Sequence, residues 1–259
     1  MPSETDSNEN ARKFIELGAD IVGGITTVAL TVMYPDVGAQ MAIASGIPLM
    51  SEGIRRVGNE LVEKILGPRE QARVGAVMAC IIEKTKENDE VGKHIRTDWN
   101  IGNSPGARAL GYEIIEGTLL NSQKEYEEKK IRFYGYLAAN LGYQANIDRG
   151  HANLLLRRAK GMSYRQLCLL SNFAQPECIT READYLNEKM DTGLEALLLE
   201  IRELNDNFLI NIGFSPSSII QNIQPRLIKA TEIGREIYSL MELSKIDSTD
   251  FLETIRLMR

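Results

Sequence analysis

The chain has 259 residues, of which 43% are hydrophobic and 25% are charged, a composition typical of a folded soluble protein with one large or two small domains. Its net charge of −6 argues against a surface built as a whole for nucleic acid, because phosphate binding needs an excess of lysine and arginine. Residues 1–13 carry acidic side chains where an export signal needs basic ones, so we expect a cytoplasmic protein.

The residue types that usually form catalytic or metal sites are few and scattered. Three cysteines (Cys80, Cys168 and Cys178) lack CxxC spacing, and the two histidines, His94 and His151, lie far apart. They cannot supply the clustered ligands of a structural zinc site. No phosphate-binding glycine loop and no GxSxG nucleophile elbow occurs in the sequence. The sequence therefore predicts no catalytic residues, no cofactor and no metal.

Residues 21–51 are the most unusual stretch, with two uncharged runs of 15 residues that meet at Asp36. Because Pro35 disfavours helix at the residue before it, the runs are predicted to form a helical hairpin. Each run would extend roughly 22 Å as a helix, which is less than the roughly 30 Å hydrocarbon core of a bilayer. Two interpretations stay open: a hairpin packed in a core or an oligomer interface, and a hairpin that enters the membrane partly or on a trigger.

Small residues in this hairpin would let two helices approach closely, since Gly38, Ala42 and Gly46 are four residues apart. The predicted membrane or assembly residues are Gly23, Gly24, Gly38, Ala42 and Gly46.

The rest of the chain divides by composition and helical periodicity. The predicted divisions are a disordered tail over 1–10, a helical region over 11–88 that contains the hairpin, a linker over 89–106, a helical domain over 107–161, and a last domain over 162–259. Pro68 suits the first turn of a helix, and Asp148 and Ser163 suit helix N-caps. Gly161 is expected just after the end of a helix, and one long helix is expected from Thr180 to Asn205. The charged run over 125–130 is expected to be a solvated junction between helices.

The order of elements in the last hundred residues is typical of a winged helix. Two helices lead into extended FLINIGF, a turn, a second extended segment RLIKA, and a closing helix that starts at TEIGR. Thr231 can cap that closing helix, and Gly234 would allow it to pack closely against the strand. The predicted fold class is thus mostly α, with a Gly/Ala-rich apolar helical hairpin in the N-terminal part and a C-terminal winged-helix-like unit that contains a small β-hairpin.

Four segments carry a resemblance to a known family: EKKIRFYGYLAANLGY, MSYRQLCLLSNF, NDNFLI and KATEIGREIYSLM. Together they resemble a group of bacterial and phage-associated helical proteins that is similar to the abortive-infection alpha (Abi-alpha) family, whose "FanLLa"-like pattern corresponds to residues 133–138. The resemblance covers residues 125–243, and the first hundred residues share only the family's Gly/Ala-rich character. It implies a role in defence against phage and brings no catalytic residues with it.

Charge decides between partners for the winged-helix-like unit. Over residues 163–259 there are fifteen acidic and ten basic residues, and the helix that would enter a DNA groove presents Glu195, Glu200 and Glu203. Such a helix would repel phosphates, so the sequence favours contact with protein. One basic cluster lies just upstream: Arg149, Arg157, Arg158, Lys160 and Arg165. We interpret it as a solvated face with salt bridges to neighbouring glutamates, and anionic lipid or nucleic acid remains the alternative.

Two functional hypotheses follow. The first is a non-enzymatic, defence-type protein whose apolar segment acts at the membrane or in self-assembly, with a homo-oligomer or a protein partner expected and DNA not expected. The second is a soluble interaction or regulatory module whose winged-helix-like domain binds another protein.

Overall fold

The computed structural model describes residues 50, 67–100, 108–175, 191–213, 223, 225–256 and 258. Within these residues the chain forms eight α-helices and one antiparallel sheet of two short strands near the C-terminus, which confirms a mostly α-helical fold. The described residues divide into an N-terminal unit that ends at Lys160 and a C-terminal unit that begins at Gly161. No helix in the described ranges is both long enough and apolar enough to cross a membrane.

The N-terminal unit is a set of packed helices: α1 (Pro68–Glu90), α2 (Leu110–Lys124), α3 (Ile131–Leu141) and all but the last residue of α4 (Arg149–Gly161). Pro68 lies in the first turn of α1 as predicted, where its missing N–H is not needed. Helix α1 packs on both α2 and α3. Gly135 permits the close approach of α3, since a Cβ at that position would lie 2.5 Å from the Cβ of Cys80.

The connection that follows α1 belongs to the core of this unit. Trp99 is fully buried. The Arg96 guanidinium forms an ion pair with Asp98 at 2.6 Å and donates hydrogen bonds to the carbonyls of Gln144 and Ile147, at 2.9 and 2.5 Å. The helices on both sides of residues 89–106, the predicted linker, therefore lie in one unit.

The C-terminal unit contains α5 (Tyr164–Ala174), α6 (Thr192–Asp206), β1 (Ile210–Asn211), β2 (Lys229–Ala230), α7 (Glu232–Leu240) and α8 (Ser248–Arg256). Helix α5 is central, because α6, α7 and α8 all pack on it. The strands are antiparallel, with Ile210 opposite Ala230. Single 3₁₀ turns occur at Glu128–Lys130, Pro225–Leu227 and Leu243–Lys245.

Two predicted caps are confirmed. The Ser163 hydroxyl accepts a hydrogen bond from the backbone N–H of Gln166 at 3.0 Å, and the Gln166 side chain accepts one from the N–H of Ser163 at 2.9 Å, which completes a capping box. The Asp148 carboxylate accepts a hydrogen bond from the backbone N–H of His151 at 2.8 Å. These caps satisfy donors that have no partner within the helix.

One predicted helix end is confirmed to within one residue, and one predicted helix start is wrong. Helix α4 ends at Gly161, and buried Met162 and the Ser163 cap follow it before α5. The helix expected from Thr180 to Asn205 is not continuous. Asp191 has an extended backbone, and its carboxylate accepts the N–H of Leu194 at 2.8 Å, so α6 starts at Thr192. Residues 180–190 lie outside the described residues.

Candidate functional site

Helix α6 has one buried face and one exposed face. Its buried residues are Leu197, Leu198, Ile201 and Leu204, spaced to form a stripe against α5. Its exposed residues include Glu195, Leu199, Glu203 and Asp206, and the side chain of Leu199 is 47% exposed. The outward face therefore combines negative charge with an apolar side chain.

The C-terminus of α6 presents an exposed aromatic side chain. The N–H of Phe208 donates to the carbonyl of Asn205 at 2.8 Å, and the N–H of Leu209 donates to the carbonyl of Leu204 at 2.9 Å. This pair of bonds is a Schellman motif, which places Phe208 at the position that usually holds glycine. Phe208 accordingly has a left-handed backbone, with φ of 60°, and it is 68% exposed. A left-handed conformation costs an ordinary L-residue roughly 1–2 kcal/mol.

Contacts from the closing helix hold this turn in place. The hydroxyl of Thr231 donates to the carbonyl of Phe208 at 2.7 Å and accepts the N–H of Gly234 at 3.1 Å, which confirms Thr231 as the N-cap of α7. A Cβ at Gly234 would overlap the carbonyl oxygen of Leu209, so the predicted close packing at this glycine is confirmed. The exposed ring of Phe208 thus projects from a backbone that is fixed on both sides.

We call Glu195, Leu199, Glu203, Asp206 and Phe208 the α6 surface. Arg202 lies 3.9 Å from Asp206. This exposed ion pair offsets only one of the negative charges of the α6 surface. Glu203 also accepts a hydrogen bond from the Gln166 amide at 2.8 Å. Glu200, which the sequence placed among the outward acids, instead pairs with Arg165 at 2.6 Å.

The structure separates the five predicted basic residues by their contacts. Arg149 forms an ion pair with Glu113, and Arg165 pairs with Glu200. Arg157 and Lys160 are exposed on α4, and Arg158 between them is partly exposed. Arg149, Arg157, Arg158 and Lys160 belong to the N-terminal unit, whereas Arg165 belongs to the C-terminal unit.

The charged run over 125–130 is solvated at Glu128, as the sequence predicted, but not at Glu125 and Lys130. Glu125 and Lys130 are buried, 7% and 3% exposed, with their charged groups 2.6 Å apart. The hydroxyl of Tyr134 donates to the same carboxylate at 2.6 Å. Although burial alone would raise it, the pKa of Glu125 is lowered by the hydrogen bonds from Lys130 and Tyr134. The prediction was wrong for Glu125 and Lys130 because periodicity cannot show that two charges of one turn pair with each other in the core.

The predicted apolar segment lies almost wholly outside the described residues. Gly23, Gly24, Gly38, Ala42 and Gly46 fall there, so their assignment stays a prediction. Of residues 21–51 the structure describes Met50 alone, and this side chain is fully buried. Its methyl group lies so close to Gly142 that a Cβ there would overlap it, and the same Cβ would be 3.5 Å from the Trp99 ring.

The described residues contain no group of three or more His, Cys, Asp or Glu side chains placed to hold a metal ion. Cys80 and Cys168 are buried, and neither is in a disulfide bond. Burial raises the pKa of the Cys80 thiol to about 12, so this thiol is protonated at neutral pH and is a poor nucleophile.

Comparison with known proteins adds no family. No family model, no curated protein and no solved structure matches the chain. The α6 surface is therefore the candidate site on its own geometry. The sequence identified Glu195 and Glu203 but missed Asp206 and Phe208. Phe208 was expected in an extended strand, and the signal that could have found it is its position just after the helix-ending run NDN.

Proposed function

We propose that the protein is a non-enzymatic interaction protein of the abortive-infection type, whose C-terminal unit is a winged-helix-like module that binds protein instead of DNA. In this proposal α6 corresponds to the helix that a DNA-binding winged helix inserts into the major groove, and β1 and β2 form the base of the wing. The observation that carries the proposal is the composition of the α6 surface.

The charge of the α6 surface favours protein over duplex DNA. Neutralisation of phosphates by basic side chains supplies essentially all of non-specific DNA affinity. Glu195, Glu203 and Asp206 are negatively charged and would repel the phosphates. Leu199 and Phe208 are exposed apolar side chains of the kind that anchor protein interfaces, where aromatic residues are enriched. The left-handed backbone at Phe208 supports the same conclusion. Glycine at this position would relieve the backbone strain but would lack the exposed ring, so the strain points to a use for the ring.

The defence role and the cytoplasmic location of this proposal derive from the sequence. The defence role rests on the resemblance to Abi-alpha proteins over residues 125–243. Residues 21–51 would then act in self-assembly or at the membrane. The burial of Met50 against Gly142 supports packing inside the protein at the end of that segment.

Two measurements on the full chain test the protein-binding proposal. Sedimentation velocity across a concentration series should detect self-association that Leu199→Asp weakens. Leu252→Asp is the matched control, since Leu252 on α8 is also 47% exposed. Fluorescence anisotropy with a labelled DNA duplex at low salt should show no saturable binding. Duplex binding that weakens steeply with salt, together with equal effects of the two leucine variants, would refute the proposal.

A further inference from the structure

Helix α4 exposes a face that resembles the α6 surface with the charges reversed. Arg157 and Lys160 are both exposed and lie three residues apart, so they point to the same side of the helix, and partly exposed Leu154 precedes them by one turn. On α6, Glu203 and Asp206 have the same three-residue spacing, and exposed Leu199 precedes them by one turn. We call Leu154, Arg157, Arg158 and Lys160 the α4 stripe.

We infer that the α6 surface of one copy of the chain docks on the α4 stripe of a second copy. The inference rests on the proposed protein-binding role of the α6 surface and names the partner. With the helices parallel and side by side, the leucines can meet at one end of the contact while two basic side chains face two acidic ones. Desolvated apolar groups would supply the affinity, and the charges would set the register and speed the encounter.

The sign and distribution of charge make a second copy the best occupant. The chain has a net charge of −6, so two copies repel each other overall and associate only where opposite charges face each other locally. The α6 surface favours a basic partner with an apolar side chain next to its charges, and the α4 stripe of another copy has both features. The contact joins two different surfaces, so it is head-to-tail and either closes into a ring or continues as a chain of subunits.

Charge reversal followed by mixing tests this contact on the full chain. One variant, Glu203→Lys with Asp206→Lys, makes the α6 surface basic; the other, Arg157→Glu with Lys160→Glu, makes the α4 stripe acidic. Each variant alone faces like charges across the contact, so its dissociation constant measured by sedimentation should rise by about tenfold or more. An equimolar mixture should recover association, because opposite charges then meet across both kinds of contact. The control is Glu232→Lys with Glu253→Lys, which makes the same change in net charge at other exposed positions of the C-terminal unit.

The outcomes separate this inference from the protein-binding proposal. Weak association of each variant, recovery on mixing, and wild-type behaviour of the control support the contact. A wild-type chain that stays monomeric up to about 100 μM, a range that would detect even weak complexes, overturns it. Loss of association in Leu199→Asp without recovery in the charge-reversed mixture also overturns the α4 contact, and it leaves a protein-binding role for the α6 surface in place. Duplex binding that weakens steeply with salt, together with equal effects of Leu199→Asp and Leu252→Asp, would instead refute the proposed function.

Discussion

The left-handed turn after α6 predicts an unusual order of stability between two substitutions at one position. At most positions in regular structure glycine is less stable than alanine by roughly 0.5–1 kcal/mol, because its unfolded state has more freedom. Phe208 has φ of 60°. Alanine in this left-handed conformation costs roughly 1–2 kcal/mol, whereas glycine adopts it without that cost. Phe208→Gly should therefore be more stable than Phe208→Ala by about 0.5–1 kcal/mol, the difference between these two effects.

The comparison is clean because both variants lose the same ring. Whatever the ring contributes to stability cancels between the two variants, so the difference in their free energies of unfolding reports the backbone alone. The assay is chemical denaturation followed by circular dichroism, which gives the free energy of unfolding of each variant. The control pair is Glu253→Ala and Glu253→Gly, at an exposed residue inside α8. Here Glu253→Ala should be the more stable variant, as in most helices. If Phe208→Ala is as stable as Phe208→Gly, the turn is not left-handed and the argument for a strained, outward-facing ring fails.

Three further predictions concern packing, a buried ion pair and the apolar segment. Gly234→Ala should lower the stability of the C-terminal unit by about 1–3 kcal/mol, because the added Cβ would overlap a backbone carbonyl. Gly161→Ala is the control and should be neutral or stabilising, since its Cβ would meet no atom within 4 Å. Hydrogen exchange of the unit distinguishes these outcomes. Lys130→Met should cost about 3–5 kcal/mol in thermal or chemical unfolding because it leaves the buried Glu125 carboxylate without its cation, and adding Glu125→Gln should restore part of that loss. Since the pKa of Glu125 is lowered in the folded state, the stability from this pair should be present above the ordinary glutamate pKa and be lost as the pH falls below it, a dependence that the double variant should lack. Ala42→Leu should weaken self-association at constant helicity if residues 21–51 form an assembly interface; a lower melting temperature with unchanged sedimentation would show that they form the monomer's own core.

The sequence by itself determined the features that depend on neighbours within one or two helical turns. Ser163, Asp148 and Thr231 were recognisable as caps because a hydroxyl or carboxylate at the start of a helix can reach the backbone N–H three residues later. The mostly helical class followed from apolar periodicity, and the acidic outer face of α6 followed from the same periodicity applied to glutamates. These signals are local, so a single sequence is enough to show them.

The tertiary structure decided which charged residues are buried and which backbone conformation a turn adopts. Periodicity predicted that Glu125 and Lys130 would be solvated, and only the fold shows them paired in the core beside Tyr134. The extended pattern after α6 did not indicate that Phe208 turns left-handed and leaves its ring in solvent, because that conformation is imposed by Leu209 entering the core and by Thr231 holding the carbonyl of Phe208. Burial and backbone handedness at these sites depend on which surfaces the rest of the chain provides, and no local pattern of residues contains that information.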